Sequence, residues 1–149
     1  MKTQSTWCKF VQSLTSEFTF HPPASAEELE KAQSSLDVTF PDTLKSLLQE
    51  SNGIEGSYGL GLIWNVERIA KDNLFFRQFL EYKDLYMPFN HLLFFADAGN
   101  GDQFAFTILN GKIQKRDVYV WNHVEDSRQW VAPSLDIYLE WWQSGKLKI

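Results

Sequence analysis

The stretch from His91 to Ile108 reads HLLFFADAGNGDQFAFTI. Leu92-Leu93-Phe94-Phe95-Ala96 is an apolar run of strand length. Gly99-Asn100-Gly101-Asp102 is built from residues that accept positive φ and turn a chain sharply, and Phe104-Ala105-Phe106-Thr107-Ile108 returns. Two apolar runs joined by a short polar turn predict an antiparallel pair. Towards the C-terminus, Asn110-Gly111 is the strongest short hairpin signal in the chain. It precedes Val118-Tyr119-Val120-Trp121, with the polar segment 112–117 between, so the pattern from His91 onward is a meander. Pro133-Ser134 then opens a helix with Leu135, Tyr138, Leu139 and Trp142 as its stripe and Gly145 as its stop.

The N-terminal side has a different period. Trp7, Phe10, Val11 and Leu14 fall at the i, i+3, i+4, i+7 spacing of an amphipathic helix over residues 2–15. Phe18 to Pro23 breaks it, because adjacent prolines do not continue a helix. Ser25 starts a second helix, its hydroxyl capping the first turn while Glu28, three residues on, reaches back to form a capping box; Leu29, Ala32 and Leu36 are its apolar stripe. Pro41, after Phe40, suits the first turn of a third helix, where a missing N–H costs nothing. Leu44, Leu47 and Leu48 face its core, and Asn52-Gly53 is expected to end it by supplying a left-handed residue. Gly59 to Trp64 reads as a short strand and residues 67–81 as a further helix. Helices, then a mostly antiparallel sheet, then a closing helix make an α+β fold, expected as one domain over residues 1–149.

Composition limits the function. With 149 residues the chain is long enough to bury a core without staples. Aromatic residues make up 15%, enough that some rings are expected at the surface, where they mark binding faces. The single cysteine, Cys8, has no internal partner, and no Asn-x-Ser/Thr site occurs, which points to a reducing cytoplasm. The N-terminus lacks the apolar core of a signal peptide, and no run is long enough to span a membrane. The net charge of −5 is uneven: residues 1–60 hold eight acidic and four basic side chains, residues 61–149 eleven and ten. A basic protein is the partner that acidic helices would attract, and nucleic acid, which needs clustered cations, is not.

The chemistry-bearing residues are few. His21 precedes two prolines, His91 stands at a strand start, and His123 lies in Trp121-Asn122-His123-Val124-Glu125-Asp126 beside two carboxylates. A general base built on His123 with Glu125 and Asp126 is one reading of that cluster; a solvated turn after an edge strand is the other. Cys8, on an amphipathic helix, reads as a small apolar residue and not as a nucleophile. No CxxC or HxxxH spacing supports zinc. Asp97 to Asp102 lacks the twelve-residue loop and closing glutamate of a calcium site. Phosphate-cradling glycine loops and nucleophile elbows are missing. No enzyme, metal or cofactor is expected.

Several pieces occur in a characteristic order: Ser25-Ala26-Glu27-Glu28-Leu29-Glu30, Leu36 to Phe40-Pro41, Leu44 to Leu48, and Asn52-Gly53. They continue with Ala98 to Asp102 before Phe104-Ala105-Phe106, Val118 to His123 with Trp121, and Val131-Ala132-Pro133-Ser134-Leu135. Over residues 25–145 the chain resembles the SUKH superfamily, which includes the yeast Smi and Knr cell-wall regulators and many bacterial immunity proteins. It departs from that pattern at Ile54, where many relatives carry a small residue, and in the helices at 2–15 and 67–81. The resemblance implies helices packed on a twisted antiparallel sheet in a protein-binding module. The motif residues Ser25, Phe40, Pro41, Asn52, Gly53, Gly101, Asp102, Trp121, Ala132 and Ser134 read as caps, turns and core. For bacterial members it implies an immunity protein that neutralises a cognate toxin domain, often a nuclease; a Smi/Knr-like regulatory scaffold is the alternative. A nuclease must be basic to grip phosphates. The expected contacts are therefore Glu27, Glu28, Glu30, Asp42, Glu50 and Glu55, with Trp64, Asp97 and Asp102 as further candidates. Nothing in the chain sets an oligomeric state.

Overall fold

A computed structural model describes residues 6–14 and 17–149. In chain order it contains α1 (Thr6–Leu14), β1 (Thr19–Phe20), α2 (Ala26–Leu36), α3 (Asp42–Glu50), β2 (Ile54–Glu55), β3 (Gly61–Ile63) and α4 (Val66–Gln78). Then come β4 (Leu92–Asp97), β5 (Gln103–Thr107), β6 (Val118–Trp121), β7 (Arg128–Ala132) and α5 (Leu135–Ser144). Single 3-10 turns occupy Ser57–Gly59 and Leu80–Lys83. The fold is α+β, as the alternation of periods predicts. The ends of the first expected helix, residues 2–5 and 15, lie outside the described residues.

The strands form two antiparallel sheets, β1-β2-β3 and β4-β5-β6-β7. They meet where Trp64 N, just past β3, donates to Phe95 O of β4 at 2.7 Å. The apolar run of β4 is explained by its position. Phe94 packs on Phe76 of α4, Phe89 and Trp121, whereas Phe95 stacks on Phe106 and meets Tyr138 of α5 edge-on. Successive strand residues face opposite ways, so a strand covered on both faces cannot alternate apolar with polar. A bulge between Phe94 and Ala96 interrupts the register with β5. Tyr138 ties α5 to the smaller sheet by donating its hydroxyl to Leu62 O at 3.0 Å.

Local signals set most of the helix starts. Ser25 and Glu28 form the expected capping box, and Asn65 and Ser134 cap α4 and α5 through their side chains. Three expectations need correction, and three strands are additions to them. Asn52-Gly53 does not supply the left-handed end of α3: that helix stops at an extended Ser51. Gly53 has φ +94 for another reason, since a Cβ there would stand 2.9 Å from Asn65 N. Asn110 and Gly111 do turn with positive φ, but they close one bridge, Leu109 with Lys112, and not a hairpin of two strands. The segment at Arg128–Ala132 is a strand, and Thr19–Phe20 and Ile54–Glu55 add two more. The sheet is two sheets.

Candidate protein-binding surfaces

Ser51, Asn52 and Gly53 stitch three elements together. The Ser51 hydroxyl accepts from His21 N at 2.9 Å and donates to Gly53 O at 2.7 Å. Asn52 N donates to Pro22 O, and its Oδ1 accepts from Val66 N at 2.9 Å, holding the start of α4. These bonds frame a cleft of about 460 Å³ whose lining includes His21, Glu28, Glu55, Gly61, Trp64 and Arg68. His21 Nε2 and Glu55 Oε1 are 2.8 Å apart across it. Arg68 forks onto both oxygens of Asp97 at 2.7 and 2.8 Å, reaches Asp72 at 3.0 Å, and lies over the Trp64 ring at 4.0 Å from its centroid. Burial works against its charge, but Asp97 and Asp72 outweigh that and raise its pKa.

The expected acidic contacts separate into groups. Glu27 and Glu30 stand exposed on α2, and Asp42 is fully exposed, 3.5 Å from Lys45. Glu28 is exposed but closes the capping box through Oε1. Glu50 instead caps α1, accepting from Trp7 N at 2.7 Å, Cys8 N at 3.1 Å and Thr6 Oγ1 at 3.1 Å. Its work is internal, and after burial it is the second influence pushing the Cys8 thiol up.

Asp97 is spent on Arg68. Two candidates are corrected: Trp64, 1% exposed, is no open-surface contact but part of the cleft wall, and Asp102, 5% exposed, is turned to His123. Phe40, Trp121 and Ala132 are core, as the motif reading has them.

The histidine cluster is also wired differently from the sequence reading. The carboxylate on His123 is Asp102, 2.7 Å from Nδ1, and Asp102 also accepts the His123 backbone N–H at 3.0 Å. Asp126 faces away, accepting from Trp121 Nε1, Arg128 Nη2 and Met87 N, each at 2.8 Å. Glu125 accepts from the Ser127 hydroxyl.

A second surface escaped the sequence reading. Phe75, Leu80, Leu85 and Met87 are exposed beside a stacked cluster of Phe75, Phe76, Phe79 and Tyr82. The aromatic count hinted at it, but the 3-10 turn that displays Leu80 has no strong sequence signature.

No helix among the described residues is long and apolar enough to cross a membrane. No curated protein matches the sequence closely enough to serve as a relative. A family model does match: SUKH_6, described as SMI1-KNR4 cell-wall, covers residues 26–139. That span runs from the first residue of α2, through the Asn52-Gly53 stitch and the meander, to the middle of α5. On this match over most of its length, the chain belongs to the SMI1-KNR4 family of the SUKH superfamily.

Proposed function

We propose that this protein is an immunity protein: in the cytoplasm it binds a cognate toxin domain, a basic protein of nuclease type, and blocks it without performing chemistry of its own. Family membership supports protein–protein interaction in general. The observation that carries the finer reading is the distribution of carboxylates. Glu27 and Glu30 stand exposed on α2, while Glu28 and Glu55 line the adjoining cleft. Such a surface complements a protein that grips phosphates, and it speeds the encounter with one. Co-expression with the toxin encoded beside it tests the proposal. Rescue of growth and a complex on size exclusion are expected; absence of both would reject it.

A Smi/Knr-like regulatory scaffold is the second reading, favoured by the family's cell-wall description. A pull-down that returns several weak partners, instead of one tight one, would select it.

A further inference from the structure

Trp64 is 1% exposed, yet its indole Nε1 has no acceptor among the described residues. Buried N–H groups in native proteins are nearly always partnered. The other fully enclosed indole follows that rule, Trp121 Nε1 donating to Asp126 at 2.8 Å. Trp64 differs in lining the cleft of about 460 Å³ described above. Arg68 covers one face of its ring, and Gly61 stands against the ring edge: a Cβ there would lie 2.9 Å from Cδ1, the carbon bonded to Nε1, and 2.7 Å from Asp97 Oδ2. Only glycine fits there, because Asp97, Trp64 and Arg68 stand too close for a side chain.

The charges in the cleft define what enters. Glu28 commits Oε1 to Ser25 N, and Glu55 commits Oε1 to His21 Nε2. Each keeps Oε2 without a hydrogen bond among the described residues. Arg68 is occupied by Asp97 and Asp72. The cleft therefore joins one unmet donor to two carboxylates with a free oxygen each. Anions are disfavoured; a peptide carbonyl next to a cationic side chain is matched.

We propose that this cleft receives a lysine- or arginine-bearing loop of the partner protein, a backbone carbonyl of the loop accepting from Trp64 Nε1 and its cation resting against Glu28 and Glu55. The inference rests on the reading of the chain as a binder of a basic protein, and names the contact.

The test uses ¹⁵N-labelled full-length chain and follows its indole N–H resonances, Trp64 being assigned with Trp64→Phe. The probes are acetyl-Gly-Arg-Gly-amide and acetyl-Gly-Lys-Gly-amide at millimolar concentrations, against acetyl-Gly-Gln-Gly-amide. The Trp64 resonance is expected to shift saturably with the basic peptides while the other indoles stay in place. Glu55→Gln should weaken that response at least threefold. If Trp64→Phe does not fold, the Glu55→Gln comparison stands by itself, with Trp64 assigned by triple-resonance experiments.

An unmoved Trp64 signal, or an equal shift with the glutamine peptide, would overturn the proposal. Should a toxin domain bind the chain tightly yet leave Trp64 and the Glu55→Gln affinity unchanged, the cleft fails and the immunity reading stands. Failure of every toxin to bind, with the peptides still shifting Trp64, rejects only the immunity reading.

Discussion

Arg128 Nη1 donates to His91 Nε2 at 2.8 Å, a bond that only the neutral imidazole can accept. Burial lowers the His91 pKa first, the Arg128 charge lowers it further, and Asp126 pulls weakly the other way. A histidine with a lowered native pKa binds fewer protons folded than unfolded. Its contribution is present above the unfolded value of about 6.5 and is lost as pH falls below it. The urea midpoint should therefore drop between pH 7.5 and 5.5. His91→Gln should flatten that limb; an unchanged slope would remove His91 as its source.

Asp126 acts lower on the pH scale. Burial raises its pKa, but the Met87 N–H, Arg128 and Trp121 Nε1 together bring it below the ordinary value. A lowered carboxylate pKa stabilises the native state above the unfolded value of about 3.9, and the gain fades as pH falls through the native one. Asp126→Asn should cost about 1–3 kcal/mol at neutral pH and leave a shallower decline below about pH 4. Denaturant titrations at several pH values would show both effects, or neither.

Asn73 is 1% exposed and behaves as a piece of strand set into a helix. Its Nδ2 donates to Ile69 O at 2.7 Å and Phe94 O at 2.9 Å, and its Oδ1 accepts from Phe94 N at 2.8 Å. Leucine fits the volume but leaves the Phe94 amide and carbonyl buried without partners. Asn73→Leu should cost about 2–4 kcal/mol despite its greater hydrophobicity. A stability equal to wild type would show that β4 finds other partners.

Asn73 also marks the limit of what was legible beforehand. Helix starts at Ser25 and Ser134 and the turn at Gly99–Asp102 were readable because their determinants lie within a few residues. β4 and β5 were readable because both are long and apolar. Thr19–Phe20 and Ile54–Glu55 have two residues each, too few to show a period, and exist through pairing with each other and β3. Arg128–Ala132 is an edge strand that buries only Ala132 fully, so it shows no clean alternation of apolar and polar residues. The net acidity was legible from composition, but which carboxylates stay exposed was not. The cleft was not: Arg68, Asp97, His21 and Glu55 come from four separated segments, and nothing in RIAKD or FHPP announces that they meet. Glu50 and Glu27 look alike in sequence and differ only in whether a helix N-terminus happens to point at them.

Gly101 and His123 are coupled through space. Gly101 has φ +99, and a Cβ on it would lie 2.7 Å from His123 Cε1. Gly101→Ala should cost about 1–3 kcal/mol, part backbone strain and part collision. In a His123→Ala background the collision disappears and the strain stays, so the glycine substitution should cost less there by at least about 0.5 kcal/mol. Strict additivity in this cycle would mean that the turn shifts away from the ring unaided.

The acids themselves should act mainly on the rate of encounter. Glu27 and Glu30 are exposed on one helix and form no salt bridge among the described residues, so reversing them removes long-range attraction without breaking a packed contact. Under the proposed function, Glu27→Lys with Glu30→Lys should slow association with a basic toxin domain about tenfold at low salt, leave dissociation within about twofold, and lose that effect as salt rises. Glu50→Gln should do the reverse. Its carboxylate receives the first N–H groups of α1, so losing its charge should reduce stability by about 1 kcal/mol and leave the association rate alone. Stopped-flow mixing at two ionic strengths separates the two classes. If Glu50→Gln slowed association as much as the α2 reversals, total charge, and not the exposed face of α2, would be guiding the partner in.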